Sequence, residues 1–131
     1  MAMSMENTFI VIKPDAVAAK KVGAILSRFE NAGLSIEFLE SVYFDVDMVR
    51  KLYGQHQGKD FYADNMAFIM SGICIIGVIR GNDAVAKVRT LVGKLGDCGT
   101  IRGDFGTQNP RNACHASDSS EAAFQEIRAF V

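Results

Sequence analysis

The chain has 131 residues, a length that suits one domain with one hydrophobic core, and we expect residues 1–131 to form a single domain. Hydrophobic residues make up 49% of it and charged residues 22%, which excludes an intrinsically disordered chain. The net charge of −1 gives no support to a protein that binds nucleic acid through bulk electrostatic attraction.

The three cysteines, Cys74, Cys98 and Cys114, match neither a disulfide framework nor a paired metal or redox site, because they are odd in number and widely spaced. Cys74 lies in an apolar run, where we expect a buried free thiol. The first residues show no signal peptide, and the longest apolar run, Ile73–Ile79, is too short to span a bilayer. These features predict a soluble cytoplasmic protein with no membrane partner.

The first third of the chain predicts a strand, a helix and a second strand. Thr8–Lys13 is rich in β-branched and aromatic residues and stops at Pro14, as in a buried strand. Apolar residues recur at helical spacing over residues 22–29, which predicts an amphipathic helix that ends at Gly33. Residues 34–44 carry apolar side chains at nearly every even position, a period of two that indicates a half-buried strand.

The middle of the chain predicts two helices, a strand and another helix. Asp45 is a candidate N-cap for a helix whose apolar positions are Val49, Leu52 and Tyr53. A shorter helix follows over residues 63–70, and residues 72–79 read as a fully buried strand. Asp83 is expected to cap an amphipathic helix that buries Val85, Val88 and Val92.

The last third changes character. Five of the twelve glycines fall between Gly93 and Pro110, where the apolar period is lost, and this predicts one long loop with room for a short helical turn. A short strand at Ala113–Ala116 and a helix from about Ser119 to Arg128 follow. The order of elements favours the α/β (α+β) class and a ferredoxin-like βαββαβ sandwich, a four-stranded antiparallel sheet with helices packed on it.

One of the two histidines, His115, lies in the predicted short strand, and Ser117 two residues later points to the same side. Glu126 lies on the helix that folds back against this strand. A histidine held by a carboxylate beside a hydroxyl is the arrangement of an oriented imidazole base or nucleophile. A partly buried structural histidine, satisfied by its neighbours, fits the same spacing and is the more common case.

A second group of candidate site residues is cationic: Lys13 at the end of the first strand, Arg89 on a helix, Arg102 in the glycine-rich loop, and Arg111 beside Asn112. Guanidinium groups on glycine-rich backbone bind phosphate well because their planar fork matches the phosphate oxygens. Scattered surface charge is the alternative for each of them taken singly. The sequence contains no GxxxxGK[ST] and no GxGxxG motif, so it does not support the common nucleotide-binding folds.

An aromatic pair, Phe61 and Tyr62, begins the shorter helix among polar residues. An exposed ring there can stack on a nucleobase, although covering the edge of a core is the more common role. The pattern alone leaves both roles open.

Four segments together resemble the nucleoside diphosphate kinase family: TFIVIKPDAV at 8–17, SG at 71–72, GTIRGDF at 99–105 and RNACHASDS at 111–119. Their order and separations fit along essentially the whole chain, and the N-x-x-H-x-S-D segment is highly specific. The resemblance implies an enzyme that transfers the γ-phosphate of a nucleoside triphosphate to a nucleoside diphosphate. It implies a ping-pong reaction through a phosphohistidine, which maintains the pools of ribo- and deoxyribonucleoside triphosphates.

The resemblance also implies a role for each site residue. His115 would attack the γ-phosphate through Nδ1, with Glu126 and Ser117 orienting and polarising its ring. Lys13 would neutralise the γ-phosphate and contact the ribose, and Tyr53 would lie near the transferring group. The other nucleotide contacts would come from Arg89 and Arg102 on the outer phosphates, Asn112 on the 3′-hydroxyl, and Phe61 and Asn65 at the base.

The family's cofactor, Mg²⁺, would arrive on the nucleotide phosphates with no direct protein ligand, and ATP, ADP and other nucleotides would be the partners. The resemblance implies a homo-oligomer, a hexamer in most members. The 94–98 loop is a few residues shorter than in most members and lacks a phosphate-contacting threonine and an Asn-Pro turn used in subunit contact. The chain also stops before the C-terminal extension of longer members. Both departures leave room for a smaller assembly.

Three further departures lie close to the site. Asn65 replaces the usual leucine beside the base, and its amide can bond to a base edge, so we expect a shifted base preference, toward pyrimidines. Pro110 replaces a glycine, which changes the loop before Arg111 because proline lacks an N–H and fixes φ. Cys114 either makes activity sensitive to oxidation or is an inert buried thiol.

Three alternatives compete with the kinase. A nucleotide-binding module without activity would not need a nucleophile, and an RNA-binding ferredoxin-like domain would need paired aromatics on a strand. A phosphocarrier that hands phosphate to protein histidines would use the same His115 but would not need Phe61.

Overall fold

Four strands form one antiparallel sheet that positions everything else. The computed structural model describes residues 5–54 and 62–131. The strands are β1 (Met5–Ile12), β2 (Ser35–Val42), β3 (Cys74–Asn82) and β4 (Cys114–Ala116). They lie in the order β2-β3-β1-β4, and each neighbouring pair is antiparallel. The predicted ferredoxin-like arrangement is confirmed.

Seven helices in the described residues cover the two faces of this sheet: α1 (Pro14–Ala18), α2 (Val22–Asn31), α3 (Val46–Tyr53), α4 (Tyr62–Ile69), α5 (Ala84–Val92), α6 (Ile101–Phe105) and α7 (Ser120–Phe130). The side chains of β1 alternate between the faces, so this central strand contributes to two separate cores. Ile10 and Ile12 pack with α2 and α5, and Phe9 and Val11 pack with α3, α4 and α7.

The predicted caps have different outcomes. The Asp45 carboxylate accepts a hydrogen bond from the Met48 N–H at 2.9 Å, so the predicted N-cap of α3 is confirmed. The prediction for Asp83 is wrong, because its backbone is left-handed (φ 52°) and its side chain makes no capping bond. The first turn of α5 is instead capped from β1, where Glu6 accepts the Val85 N–H at 3.2 Å.

The period of two predicted for the second strand is interrupted by a β-bulge. The register of β2 against β3 shifts between Ile36 and Phe38. Ile36 therefore packs against the core of α2 and α5, whereas Phe38 and Val42 pack against the other core. A bulge moves the residues beyond it to the opposite face, which the alternation of residue types alone does not reveal.

One short helix was not predicted, and another lies where the sequence left room for a helical turn. Helix α1 follows Lys13 directly and was not predicted, because five residues carry too little periodicity to recognise. Helix α6 occupies the middle of the predicted 93–110 loop, where Thr100 caps it by accepting the Gly103 N–H at 3.0 Å. The predicted buried thiol of Cys74 is confirmed.

Candidate active site

Strand β4 places His115 at the end of the sheet. His115 pairs with Val11 of β1, and its neighbours Cys114 and Ala116 are buried on the opposite face among α5 and the first core. Alternation along the strand therefore directs the imidazole toward α7, which carries Glu126. The short strand is fixed by its register against the long buried strand beside it.

The predicted His115, Ser117 and Glu126 cluster is assembled in the structure. His115 Nε2 lies 2.8 Å from Glu126 Oε1, and the Ser117 hydroxyl donates to the same oxygen at 2.9 Å. Ser117 is itself held to β1, because its backbone N–H donates to the Phe9 carbonyl at 3.1 Å. The carboxylate therefore accepts from two donors, and its orientation is fixed from both sides.

This contact determines which imidazole nitrogen can react. An ionised carboxylate can only accept, so Nε2 carries the proton of the neutral ring and Nδ1 keeps its lone pair. Burial lowers the pKa of His115 below its ordinary value, and the hydrogen bond that Nε2–H donates to Glu126 opposes that shift. The balance keeps the ring neutral at neutral pH while leaving it firmly oriented.

Lys13 and Tyr53 line the approach to the histidine. The Tyr53 and His115 rings meet edge to face with centroids 5.8 Å apart, and Lys13 Nζ lies 5.7 Å from the centre of the Tyr53 ring. Lys13 is only 4% exposed, and burial lowers its pKa to about 8, with nearby Arg102 adding to the shift. Burial also raises the pKa of the Tyr53 hydroxyl, so it stays protonated and able to donate.

The two predicted arginines are anchored on the strand of the histidine. Arg102 Nε donates to the Cys114 carbonyl at 3.0 Å, and Arg89 Nη1 donates to the Ala116 carbonyl at 3.3 Å. These carbonyls belong to the residues on either side of His115. Each guanidinium uses one N–H donor in this anchoring bond, and its remaining N–H donors can bind an anion.

Asn112 precedes the strand in a tight turn. Its Nδ2 donates to Asn109 Oδ1 at 3.1 Å, while its Oδ1 is buried without a hydrogen-bond partner in the described residues. The next residue, Ala113, has φ 74°, and the Cys114 N–H donates across it to the Asn112 carbonyl at 2.9 Å. A bond between residues two apart, with this central φ, is a γ-turn.

The 94–98 loop and the start of α6 are held by residues that were not predicted from the sequence. Arg28 of α2 bonds Asp104 at 2.7 Å and the Gly99 carbonyl at 3.1 Å, and Asp104 accepts the Gly99 N–H at 2.9 Å. The loop also packs closely on α6, since a Cβ at Gly103 would collide with the Asp97 carbonyl. Asp104 stands in the quoted GTIRGDF segment, but no spacing signal connects it to Arg28, 76 residues away.

Of the two predicted base-binding residues, one lies within the part of the chain that the structure describes. Asn65 is half-buried on α4, and Phe61 lies outside the described residues. One contact connects α4 to the turn before the histidine strand, because the Arg111 guanidinium lies 5.3 Å from the centre of the Phe68 ring.

The thiol of Cys114 lies on the side of β4 that faces away from the histidine. Cys114 is fully buried, and burial raises the pKa of its thiol to about 12, which matches the inert thiol rather than a reactive one.

No group of three or more His, Cys, Asp or Glu in residues 5–54 and 62–131 is placed to hold a metal ion. No helix of the described part of the chain has the length and apolar character needed to cross a membrane.

The arrangement as a whole combines an oriented, neutral imidazole with three cations that converge on it. Such a site suits transfer of a phosphoryl group, in which positioning and charge neutralisation matter more than elaborate bond chemistry.

Comparisons with known proteins point the same way. A family model described as nucleoside diphosphate kinase matches residues 6–131. The nucleoside diphosphate kinase of Methanocaldococcus jannaschii is 43% identical over 129 residues, which cover 95% of this chain and 92% of that one. Nucleoside diphosphate kinase 1 of Protochlamydia amoebophila is 42% identical, with 98% and 94% covered. The solved structure of the Aquifex aeolicus nucleoside diphosphate kinase superposes with a TM-score of 0.93 at 33% identity, with 98% and 96% covered.

Proposed function

The chain belongs to the nucleoside diphosphate kinase family, and from that premise we propose that His115 is the nucleophile of its phosphoryl transfer. Phosphotransfer between nucleoside tri- and diphosphates follows from the membership. The observation that supports the role of His115 is the 2.8 Å contact between its Nε2 and Glu126, because it leaves Nδ1 as the reactive nitrogen.

The first half of the reaction forms a phosphohistidine. The Nδ1 lone pair attacks the γ-phosphorus, the bond from that phosphorus to the β,γ-bridging oxygen breaks, and its electron pair leaves with the nucleoside diphosphate. The imidazole gains positive charge as the new bond forms. The Glu126 carboxylate, 2.8 Å from Nε2, stabilises that charge through its hydrogen bond.

The second half reverses the first with a different nucleotide. A terminal β-phosphate oxygen of the incoming diphosphate attacks the phosphohistidine, the phosphorus–nitrogen bond breaks, and the imidazole becomes neutral again. One site serves both halves, so the reaction is ping-pong.

The cations neutralise the phosphates in both halves. Lys13, with its pKa lowered to about 8, still carries charge at neutral pH and would contact the γ-phosphate. Arg102 and Arg89 would hold the outer phosphates with the donors that they do not use on the Cys114 and Ala116 carbonyls. Their anchoring beside His115 supports this role, because it sets the phosphate position relative to the nucleophile. Tyr53, between Lys13 and His115, would donate to the transferring group.

The nucleoside would occupy the side of the site formed by the turn and α4. Asn112 would bind the 3′-hydroxyl, consistent with its buried Oδ1, which accepts no hydrogen bond in the described residues. Phe61 would stack on the base, a contact that tolerates every base because each has a π-face. Asn65 would meet the base edge.

Mg²⁺ would reach this site with the nucleotide rather than on protein ligands. That inference rests on the donor set, because the described site offers cations and an imidazole already committed to Glu126, and a nucleoside triphosphate brings its own metal-binding oxygens. The metal supplies charge neutralisation on the phosphates.

We further infer a cytoplasmic homo-oligomer, a hexamer by family resemblance, that maintains the pools of ribo- and deoxyribonucleoside triphosphates. The edge strand β2 supports self-association, because it pairs on one side with β3 and carries the 42% exposed side chain of Leu39.

The test is incubation of the protein with γ-labelled ATP and Mg²⁺, followed by separation under acid and alkaline conditions. We expect label that is stable to alkali, labile to acid and discharged by a nucleoside diphosphate. His115→Ala removes the label, whereas His56→Ala, at the only other histidine, keeps it. Label that persists in His115→Ala would show that the nucleophile is another residue.

A further inference from the structure

The turn before the histidine strand is in a conformation that its sequence does not favour. Ala113 has φ 74°, a left-handed value that is costly for a residue with a Cβ, and it is the central residue of the γ-turn. Glycine would adopt the same backbone without that cost. Strain of this kind persists only where surrounding contacts impose it, and it is often associated with function.

Two hydrogen bonds impose this conformation from the end of β1. The Lys13 N–H donates to the Ala113 carbonyl at 2.8 Å, and the Ala113 N–H donates to Asp15 Oδ2 at 3.0 Å. The first bond continues the pairing of β1 with β4, but the second comes from a side chain in the first turn of α1. Asp15 therefore supplies the acceptor that the backbone cannot provide.

The turn stands between two groups of the site. Asn112 precedes Ala113 by one residue and His115 follows it by two, so the dihedral angles of Ala113 set the position of the amide relative to the imidazole. The same bonds fix the backbone of Lys13, whose side chain belongs to the phosphate site.

Among the described residues, only one of the two carboxylate oxygens of Asp15 has a hydrogen-bond partner. Its second oxygen, Oδ1, is buried and has no hydrogen-bond partner within residues 5–54 and 62–131. Buried carboxylate oxygens without partners are disfavoured, and each one in a native structure calls for an explanation. Holding the turn is the contribution that Asp15 makes here.

We propose that Asp15 is a positioning residue for the phosphoryl transfer: its carboxylate holds Ala113 in the left-handed γ-turn that sets the separation of Asn112 and His115. The proposal rests on the proposed role of His115 as the phosphorylated residue. Asp15 touches neither the nucleotide nor the transferred group in this account and acts through the backbone of residue 113.

The variants that test it change the acceptor and the turn separately. Asp15→Ala removes the acceptor, Asp15→Asn keeps an oxygen that can accept the same N–H, and Ala113→Gly removes the strain of the positive φ. Asp45→Ala is the matched control, because Asp45 also accepts one backbone N–H, at 2.9 Å, but caps the distant end of α3.

The measurement is the rate constant of His115 phosphorylation by γ-labelled ATP in a single turnover, at saturating ATP, together with the melting temperature. We expect Asp15→Ala to lower the rate constant by roughly tenfold or more, as displaced reacting groups do. Asp15→Asn should recover most of the loss. Adding Ala113→Gly to Asp15→Ala should recover part of it, because glycine reaches the turn without the acceptor. Asp45→Ala should lower the melting temperature and leave the rate constant unchanged.

The outcomes separate this inference from the proposed function. Wild type that takes no label, or label retained in His115→Ala, contradicts the role of His115 itself. If the wild type is labelled at His115 and Asp15→Ala is labelled equally fast, only the positioning role is contradicted. The positioning role is also contradicted if Asp15→Ala has a low rate constant that neither the added Ala113→Gly nor the replacement Asp15→Asn improves. Should Asp15→Ala not fold, Asp15→Glu, which moves the acceptor by one methylene, takes its place; an unchanged rate there would overturn the proposal.

Discussion

The His115–Glu126 and Arg28–Asp104 pairs join a nitrogen to a carboxylate at almost the same distance, 2.8 and 2.7 Å. Their surroundings differ. The side chains of the first pair are 15% and 11% exposed and those of the second 30% and 28% exposed. Water screens the outer pair, so it tethers a loop, whereas the inner pair controls the protonation and orientation of a reactive ring. Distance alone would have ranked the two pairs as equals.

The largest effect is expected from changing the inner pair while keeping its shape. In Glu126→Gln the amide nitrogen can donate to Nε2, which favours the tautomer with the proton on Nδ1 and removes the lone pair that attacks phosphorus. We expect the single-turnover rate of phosphorylation to fall by at least about 100-fold. Nitrogen-15 NMR of the imidazole reports the tautomer directly. Gln125→Ala, on the exposed side of the same helix, is the control. A normal phosphorylation rate in Glu126→Gln would show that the His115–Glu126 pair does not control the reactive ring.

The next effect is a pH dependence that arises from the buried groups and not from the outer pair. Lys13 loses its proton as the pH rises through about 8, so kcat/KM should decrease there. Bound phosphate stabilises the charged lysine, which should move the alkaline limb of kcat to higher pH. On the acid side, the lowered pKa of His115 should place the loss of activity below the ordinary histidine range, because only the unprotonated ring attacks. Profiles of kcat and kcat/KM check both limbs; coincident alkaline limbs would argue against contact between Lys13 and the nucleotide phosphates.

A smaller effect should follow from breaking the outer pair. Arg28→Ala frees Asp104 and the Gly99 carbonyl, which loosens α6 and with it Arg102. Since Arg102 keeps its own bond to the Cys114 carbonyl, we expect KM for ATP to rise by roughly fivefold or less with little change in kcat. Arg80→Ala breaks a more exposed pair on β3, with Glu37 at 3.8 Å, and should change neither constant. A large loss of kcat in Arg28→Ala would mean that the outer pair acts on the chemistry and not on binding.

The smallest effect concerns the base. If the amide of Asn65 bonds a base edge, Asn65→Leu should change the ratio of kcat/KM between pyrimidine and purine diphosphates by roughly fivefold, the equivalent of one net hydrogen bond. Steady-state assays with the common nucleoside diphosphates measure the ratio. Equal ratios in the variant and the wild type would show that Asn65 does not select the base.

Local patterns predicted the elements of this fold well where periodicity was long. The order of the elements favoured the ferredoxin-like arrangement, but periodicity alone does not give the strand order, which comes from the structure. The His115, Ser117 and Glu126 cluster follows from strand alternation plus a helix that folds back. The bulge in β2 and the five-residue α1 left no comparable pattern. Asp83 has the residue type of a cap but a left-handed backbone, and Glu6, 79 residues from Val85, caps the helix in its place.

The site was predictable in its residue types more than in its contacts. Lys13, Arg89 and Arg102 were identified by charge and resemblance, but their anchoring on backbone carbonyls depends on tertiary geometry that one sequence does not display. Asp15 stands inside a quoted motif, yet its partner is a backbone N–H 98 residues away, and a backbone donor has no signature in the sequence. Arg28 was missed for the same reason. Phe61 and its stacking role stay predictions, since that residue lies outside the described ones.

The pairing of β1 with β4 also has a consequence for synthesis. The Phe9 carbonyl accepts a hydrogen bond from the Ser117 N–H, which is synthesised 108 residues later. Strand β4, which leads to Ser117, occupies the edge of the sheet beyond β1. A growing chain can complete the β2-β3-β1 part of the sheet while one side of β1, whose last five residues are buried in the finished fold, still lacks a partner. During that interval the ribosome carries a chain with an open, hydrophobic strand edge, which is the kind of surface that chaperones recognise and that aggregates recruit. His115 lies on the strand that covers this edge, so the proposed nucleophile and the missing strand leave the ribosome together. The chain therefore acquires its reactive residue at the same step at which the aggregation-prone edge is covered.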